Sequence, residues 1–275
     1  MPAKAELPPS RRLAVLYCPG QQGTVLADLL AIEGEIRAGI DHGLDHQVAH
    51  TRLGWWREEC ERVSEGRPLH PLTRSLRAHL PPAARLDGLV ALVDLAAWDL
   101  ARATFDTRLE LAGYCARWSG AIFGTLAAAA QPGADPAPVL AVGRALRELE
   151  FLNSLAREAR AGLLRLPLEE LAAAGVAPEA LQQPAWAAGL KDLARAQHER
   201  VRGELALAWA AVPGSRQPPL RGPCVWSALT YRRSQRLAAA LPRLPAAGED
   251  AGPLEGLRAW RAARHAAAGR FRLTD

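Results

Sequence analysis

Residues that favour α-helices dominate this 275-residue chain, and residues that favour β-strands are scarce. Alanine, leucine and arginine recur throughout, whereas only four isoleucines occur, at Ile32, Ile36, Ile40 and Ile122. Hydrophobic residues make up 49% of the chain, which is enough to bury a large core. We therefore predict an all-α fold without an extended sheet.

Clusters of proline and glycine divide the chain into segments whose apolar residues recur at helical spacing. A short helix is also expected between Pro167 and Gly175, because proline and acidic residues suit the first turn of a helix. No cluster is long enough to be a linker between domains. We predict one helical domain over residues 13–275, preceded by a disordered segment at 1–12. The longer helices are predicted near residues 21–39, 46–64, 71–79, 87–105, 107–129, 137–162, 188–211, 222–240 and 254–268.

The formal charge of +5 comes from arginine, since Lys4 and Lys191 are the only lysines. No basic block with interleaved aromatic residues marks a nucleic-acid module, so no nucleic-acid partner is expected. The C-terminal stretch 258–272 is basic and amphipathic, which suits either peripheral contact with a membrane or a plain solvated helix.

The four cysteines are widely separated and form no CxxC pair, which is typical of a protein from a reducing compartment. The N-terminal residues 1–12 have no apolar core of a secretory signal, and the apolar run at 121–130 is too short to span a bilayer. We therefore expect a cytoplasmic protein with at most peripheral membrane contact.

A polar cluster at residues 41–50 has two interpretations. On one uninterrupted helix, His42, His46 and His50 would share a face and could bind zinc. Alternatively, the segment is a polar turn, with Asp45 as the N-cap of the following helix. Gly43 weakens the first interpretation, and we favour the second.

Three further stretches carry polar side chains within apolar helices. Asp94 and Asp99 lie on one predicted helix, but a five-residue spacing points them about 140° apart, so they do not form a tight pair. Tyr114 precedes small residues that would let a ligand or a helix approach closely. Asn153 and Arg157 lie one turn apart and share a face, either around a polar ligand or on the surface.

These stretches, taken in order, resemble the squalene/phytoene synthase family, whose members join two prenyl diphosphates head to head. Residues 53–59 (LGWWREE) and 66–71 (GRPLHP) are similar to a tryptophan-rich signature of that family. Residues 92–100 with 114–120 resemble its acidic helix and its Tyr-Cys helix, and residues 153–176 resemble the helix that ends in a Leu-Pro-acidic turn. The resemblance extends over about residues 10–268.

The resemblance implies an isoprenoid synthase fold, in which a helical bundle surrounds a central cavity. In active members, two aspartate-rich motifs hold Mg²⁺ on the diphosphates, because a hard cation prefers carboxylate and phosphate oxygens. Tyr114 matches the cavity tyrosine of the family, and Asp94 and Asp99 match its acidic helix.

The sequence departs from the family at both metal motifs. At the first motif, Asp41 matches the second aspartate, but Arg37 stands where the first is expected. At the second motif, Arg157 stands near the expected first carboxylate, and Glu158 is the only acid between Ser154 and Gly162. An arginine in place of a carboxylate repels Mg²⁺.

These departures favour a catalytically degenerate member that serves as a scaffold or assembly protein, or that binds a lipid-like ligand such as a prenyl diphosphate. Its partners would be that ligand and another protein, and no cofactor is expected. The alternative is an active, Mg²⁺-dependent head-to-head prenyltransferase of isoprenoid biosynthesis, with Asp41 and Asp45 as metal ligands in a rearranged site that also includes Asp94 and Asp99. A third hypothesis is a helical module unrelated to isoprenoids. The predicted site comprises a remnant catalytic tyrosine and a set of substrate-binding residues, namely Tyr114 with Arg37, Asp94, Asp99, Asn153 and Arg157.

Overall fold

Helices supply all the regular structure of the residues that the computed structural model describes, which are 7–40, 45–82, 84–241 and 254–273. The predicted all-α fold is confirmed. A π-helical turn at Gly120–Gly124 joins two of the helices, and short 3-10 turns occur in the connections. The α-helices are α1 Pro9–Tyr17, α2 Gln22–Ala38, α3 His46–Ser64, α4 Pro71–Ala78, α5 Val90–Leu100, α6 Arg108–Ser119, α7 Thr125–Ala130, α8 Ala137–Arg160, α9 Leu168–Ala173, α10 Ala188–Ala211, α11 Arg221–Ala240 and α12 Glu255–Ala267.

Helix α1 was not predicted, because the Pro8-Pro9 pair is one of the proline clusters that predict breaks between helices. Pro9 instead occupies the first turn of α1. Backbone N–H groups in the first turn have no partner within the helix, so a proline loses no hydrogen bond there, and its fixed φ suits the helix. The predicted domain boundary at residue 13 is therefore too late, since residues 9–12 are helical. Residues 1–6 lie outside the described part of the chain.

The helix predicted at 87–105 is shorter in the structure. A 3-10 turn occupies Asp87–Leu89, and α5 ends at Leu100. Arg102 follows with a φ of 50°, the left-handed conformation that closes many helices and that usually falls to glycine. Apolar residues continue at helical spacing beyond Leu100, so their periodicity did not predict that α5 ends there.

Helix α8 lies at the centre of the bundle. Its 24 residues extend about 36 Å, and it packs against α6, α10 and α11. Charged side chains lie among its buried residues, including Arg147 and Glu148. A buried charge needs a partner, so these residues already locate a polar interior.

The tryptophan-rich signature connects α3 to α4. The buried carboxylate of Glu59 accepts hydrogen bonds from the backbone N–H groups of Leu69 and His70, each at 2.9 Å. The His70 ring lies 4.9 Å from the ring of Trp56 and 5.8 Å from that of Trp55. In this chain, therefore, the signature holds the α3–α4 turn together.

Replacing Gly143 with alanine is expected to destabilise the fold by about 1–3 kcal/mol. A Cβ atom on this residue of α8 would collide with Ser119 Oγ and lie 2.6 Å from Cγ of Phe123. Gly54→Ala is the control, because a Cβ there meets nothing within 4 Å and alanine favours a helix. Urea unfolding of both variants measures the difference. Equal stability of the two would show that α6 and α8 are not closely packed.

None of the helices in the described residues is both long enough and apolar enough to cross a membrane.

Candidate functional site

A buried arginine links three of the elements that line the centre of the bundle. Arg165, in the loop between α8 and α9, is 1% exposed. Its Nη1 and Nη2 donate to the two carboxylate oxygens of Asp99 on α5, at 2.8 and 3.0 Å. The hydroxyl of Tyr114 on α6 also donates to this carboxylate, with 3.2 Å to each oxygen. Asp99 is thus bound by a bidentate guanidinium and a phenol.

The same guanidinium binds a second carboxylate. Arg165 Nε donates to Glu158 Oε2 at 2.6 Å, and the other Glu158 oxygen accepts from Ser154 Oγ at 2.8 Å. Asp99, Tyr114, Glu158 and Arg165 together form what we name the Arg165 cluster. Its two carboxylates share one arginine, and both point toward the interior.

A second buried cluster begins on α2. Glu33 is 4% exposed and accepts from Trp118 Nε1 at 2.9 Å and from Arg11 Nη1 at 2.7 Å. Arg147 Nη2 lies 3.5 Å from the oxygen that binds Trp118. The carboxylate of Glu33 therefore faces two guanidinium groups and an indole N–H.

Glu150 completes this second cluster from α8. Its oxygens accept from Arg11 Nε at 3.1 Å and Nη2 at 2.8 Å, from Arg147 Nη1 at 3.2 Å, and from Trp226 Nε1 at 3.0 Å. We name this group the Glu33 cluster, and its members are Arg11, Glu33, Trp118, Arg147, Glu150 and Trp226. Helix α1, missed from the sequence, supplies one of its two arginines.

Aromatic rings occupy the space around the two clusters. The Phe151 ring lies 4.7 Å from Arg147 Cζ and 4.4 Å from Arg165 Cζ, so it contacts both clusters. Trp118 and Trp226 are 0% exposed, and their ring centroids are 5.8 Å apart. Both indoles are therefore fully packed inside the bundle, beside the Glu33 cluster to which they donate their N–H groups.

The charges in the two clusters shift the pKa values of their members. Burial raises the pKa of Glu33, but the nearby arginines Arg11 and Arg147 more than offset this and lower it to about 2. Burial and the charge of Asp99 raise the pKa of Tyr114 to about 12, so the phenol keeps its proton at neutral pH. Burial also opposes ionisation of Glu158, yet Arg165 and Arg37 lower its pKa. The lowered pKa values keep Glu33 and Glu158 ionised at neutral pH, and the arginines neutralise their charges.

The structure separates the predicted substrate-binding residues. Tyr114 and Asp99 are buried in the Arg165 cluster. Asp94 is 39% exposed at the side chain and pairs with Arg57 on α3, away from Asp99. Arg37 and Arg157 are exposed, although the charge of Arg37 acts on Glu33 and Glu158.

The sequence placed Arg157 near a lost carboxylate, but the cation that reaches the centre from this part of the chain is Arg165. Arg157 lies on the solvent side of the last turn of α8. Asn153 is turned to α11, where its Nδ2 donates to the Thr230 carbonyl at 3.0 Å. Its Oδ1 is buried without a hydrogen-bond partner among the described residues.

The predicted N-cap role of Asp45 is confirmed. Its Oδ1 accepts from the N–H of Gln47 at 2.8 Å, and α3 begins at His46. Of the three histidines in the alternative interpretation, His46 and His50 lie on α3, whereas His42 lies outside the described residues. Asp41, the other predicted metal ligand, lies outside the described residues.

Sequence reasoning missed most of the buried network. Arg165 carried a usable signal, since it is the one charged residue in the apolar run from Leu163 to Leu168. Arg147 and Glu150 carried no such signal, because charges are common on long helices. Arg11 was excluded by the placement of the domain boundary.

The described residues do not fit a magnesium site. Mg²⁺ needs carboxylate oxygens that are free to bind it. The inward carboxylates of Asp99, Glu158, Glu33 and Glu150 each bind an arginine, and no group of three or more His, Cys, Asp or Glu side chains in the described ranges is placed to hold a metal. A cation there would have to displace guanidinium groups from these carboxylates.

The helical frame, with the Tyr114 helix α6 packed beside the acidic helix α5, has the all-α isoprenoid synthase fold. A family model for squalene/phytoene synthase matches residues 9–252, and the chain belongs to this family. No curated protein matches the chain significantly.

Solved structures share the fold. A dehydrosqualene synthase crystallised with a ligand superposes with a TM-score of 0.75 at 16% sequence identity, over 94% of this chain and 90% of that one. The squalene synthase HpnC from Alicyclobacillus acidocaldarius gives a TM-score of 0.64 at 16% identity, over 85% of this chain and 89% of that one. At these identities the likeness establishes the fold alone.

Proposed function

We propose that this chain is a non-catalytic member of the squalene/phytoene synthase family that serves as a scaffold or assembly protein, or binds a lipid-like ligand. One observation carries the proposal: two buried arginines, Arg147 and Arg165, and the largely buried Arg11 neutralise the inward carboxylates that a metal would need. Departure of a diphosphate requires cations that neutralise its developing charge. Carboxylates already bound to guanidinium groups are poor ligands for such cations.

The remaining family features support a structural role for the same residues. Tyr114 donates its hydroxyl to Asp99 instead of facing an open space, and Trp118 fills the interior beside it. A prenyl chain needs a long apolar tunnel. We therefore propose that Tyr114 has a structural role, in which its hydroxyl fixes the position of the Asp99 carboxylate. We also propose that no cofactor is required.

A ligand, if one is bound, would be recognised by arginines. The dehydrosqualene synthase neighbour is described in complex with a ligand. In this chain the exposed Arg37 and Arg157 offer cationic groups for a diphosphate or another anionic head. Binding of this kind does not need Mg²⁺. We propose a cytoplasmic protein that contacts membranes at most peripherally, with a protein or a lipid-like molecule as partner.

Incubation of the purified chain with farnesyl or geranylgeranyl diphosphate, Mg²⁺ and NADPH is expected to yield no C30 or C40 product. An active squalene synthase assayed in parallel verifies the detection limit. A product that disappears in the Asp94→Ala or Tyr114→Phe variant, while thermal unfolding shows the variant folded, overturns the proposal.

Titration with farnesyl diphosphate in excess EDTA separates the two non-catalytic roles. Affinity that survives the loss of metal and falls at least about tenfold in Arg37→Glu supports ligand binding through arginine. The absence of affinity favours a scaffold that acts through another protein.

A further inference from the structure

The last helix presents an exposed face that combines apolar and cationic side chains. Leu254, Leu257 and Trp260 are 56%, 45% and 45% exposed, respectively. Arg261 and Arg264 are exposed and follow Leu257 by four and seven residues, so they share its side of the helix. The α12 face, as we name it, comprises Leu254, Leu257, Trp260, Arg261, Arg264, His265 and Arg270.

The opposite side of α12 fixes this orientation. Ala259, Ala263 and Ala266 are buried, and the helix packs against α11 and α1. Glu255, the only acidic residue of α12, is also buried and pairs with Arg236 at 3.1 Å. Because the side chain of Glu255 is buried, the α12 face carries no negative charge among the described residues of the helix.

The cationic part of the α12 face surrounds a shallow concavity of about 360 Å³. Its lining residues are Trp260, Arg261, Arg264, His265, Ala268 and Arg270. Arg264 Cζ lies 5.3 Å from the centroid of the Trp260 ring, which holds the guanidinium beside the indole. Among the described residues, no carboxylate pairs with Arg261, Arg264 or Arg270. This chemistry fits a phosphate-bearing headgroup.

We propose that the α12 face binds the surface of an anionic lipid bilayer. The exposed leucines distinguish this partner from a nucleic acid. The phosphates of either partner would attract the arginines, but only the boundary between lipid headgroups and acyl chains favours Leu254 and Leu257. Tryptophan prefers the same interfacial depth. The α12 face is thus the surface that makes the proposed peripheral membrane contact, whether or not the bundle is catalytic.

Sedimentation with lipid vesicles tests the proposal on the full chain. Binding to an equal mixture of phosphatidylcholine and phosphatidylglycerol is expected to exceed binding to phosphatidylcholine alone by at least about tenfold, and to weaken between about 0.1 and 0.5 M NaCl. The Arg261→Glu/Arg264→Glu variant is expected to lose this binding. Arg117→Glu/Arg195→Glu, with exposed arginines on α6 and α10, changes the net charge equally and is expected to retain it.

The apolar part of the face is tested separately. Leu257→Ser/Trp260→Ser keeps every charge, and we expect it to weaken vesicle binding several-fold. Three outcomes would overturn the proposal. They are no binding to the anionic vesicles, an equal loss of vesicle binding in the two charge-reversal variants, and tighter binding to duplex DNA than to vesicles that the serine variant leaves unchanged. Loss of vesicle binding would leave the product assay unaffected, so failure of this proposal is distinct from failure of the proposed function.

Discussion

Replacing Arg165 with methionine is expected to lower the free energy of unfolding by about 3–5 kcal/mol. The substitution keeps a side chain of similar length but leaves the carboxylates of Asp99 and Glu158 buried without their cation. An uncompensated buried charge costs far more than an exposed ion pair contributes. Urea unfolding followed by circular dichroism measures the change.

Arg157→Met is the matched control, because Arg157 lies eight residues earlier in the same part of the chain and its side chain is exposed. Its effect on the free energy of unfolding is expected to stay within about 0.5 kcal/mol. Equal effects of the two substitutions would contradict the assignment of Arg165 as the interior cation. Adding Asp99→Asn and Glu158→Gln to Arg165→Met is expected to recover part of the loss, since the stranded charges are then removed.

Replacing Glu33 with glutamine is expected to destabilise the protein at pH 7 by about 3 kcal/mol, and the difference from the parent chain is expected to disappear in acid. The arginines around Glu33 lower its pKa from 4.5 to about 2, against the opposing effect of burial. A lowered pKa contributes stability that is present above pH 4.5 and is lost as the pH falls toward 2.

Unfolding free energies of the parent and of Glu33→Gln, measured from pH 7 downward, test this prediction. The difference between the two should be constant above the usual pKa of a glutamate and should shrink below it. Glu35→Gln on the same helix is the control, because Glu35 is exposed and the substitution should cost little at any pH. A difference for Glu33→Gln that does not change with pH would mean that its carboxylate is not held ionised by the Glu33 cluster.

The two clusters place neutralised charges at the centre of the helical bundle. In each cluster an arginine neutralises carboxylates from within the protein, and an aromatic ring occupies adjoining space. The helical frame around them is built by the packing of α8 against α6, α10 and α11.

The sequence predicted the features that depend on local chemistry. Helices α3, α10 and α11 begin and end close to the predicted residues, because their periodic apolar residues and flanking breakers act over a few positions. Asp45 was identifiable as an N-cap for the same reason. The arginines at residues 37 and 157, where the family resemblance predicts carboxylates, could also be identified from the sequence.

The network at the centre depended on contacts between distant parts of the chain. Arg11 reaches Glu150 across 139 residues, and Arg165 reaches Asp99 across 66. An arginine that pairs inside the bundle and one that is solvated on its surface look alike in a sequence, and only the packing of α1, α5 and α8 distinguishes them. The amino-acid sequence thus determined the helices, their caps and the family frame. The tertiary structure decided which arginines pair with the interior carboxylates, namely Arg11, Arg147 and Arg165 and not Arg157, because the low dielectric of the interior allows only paired charges there.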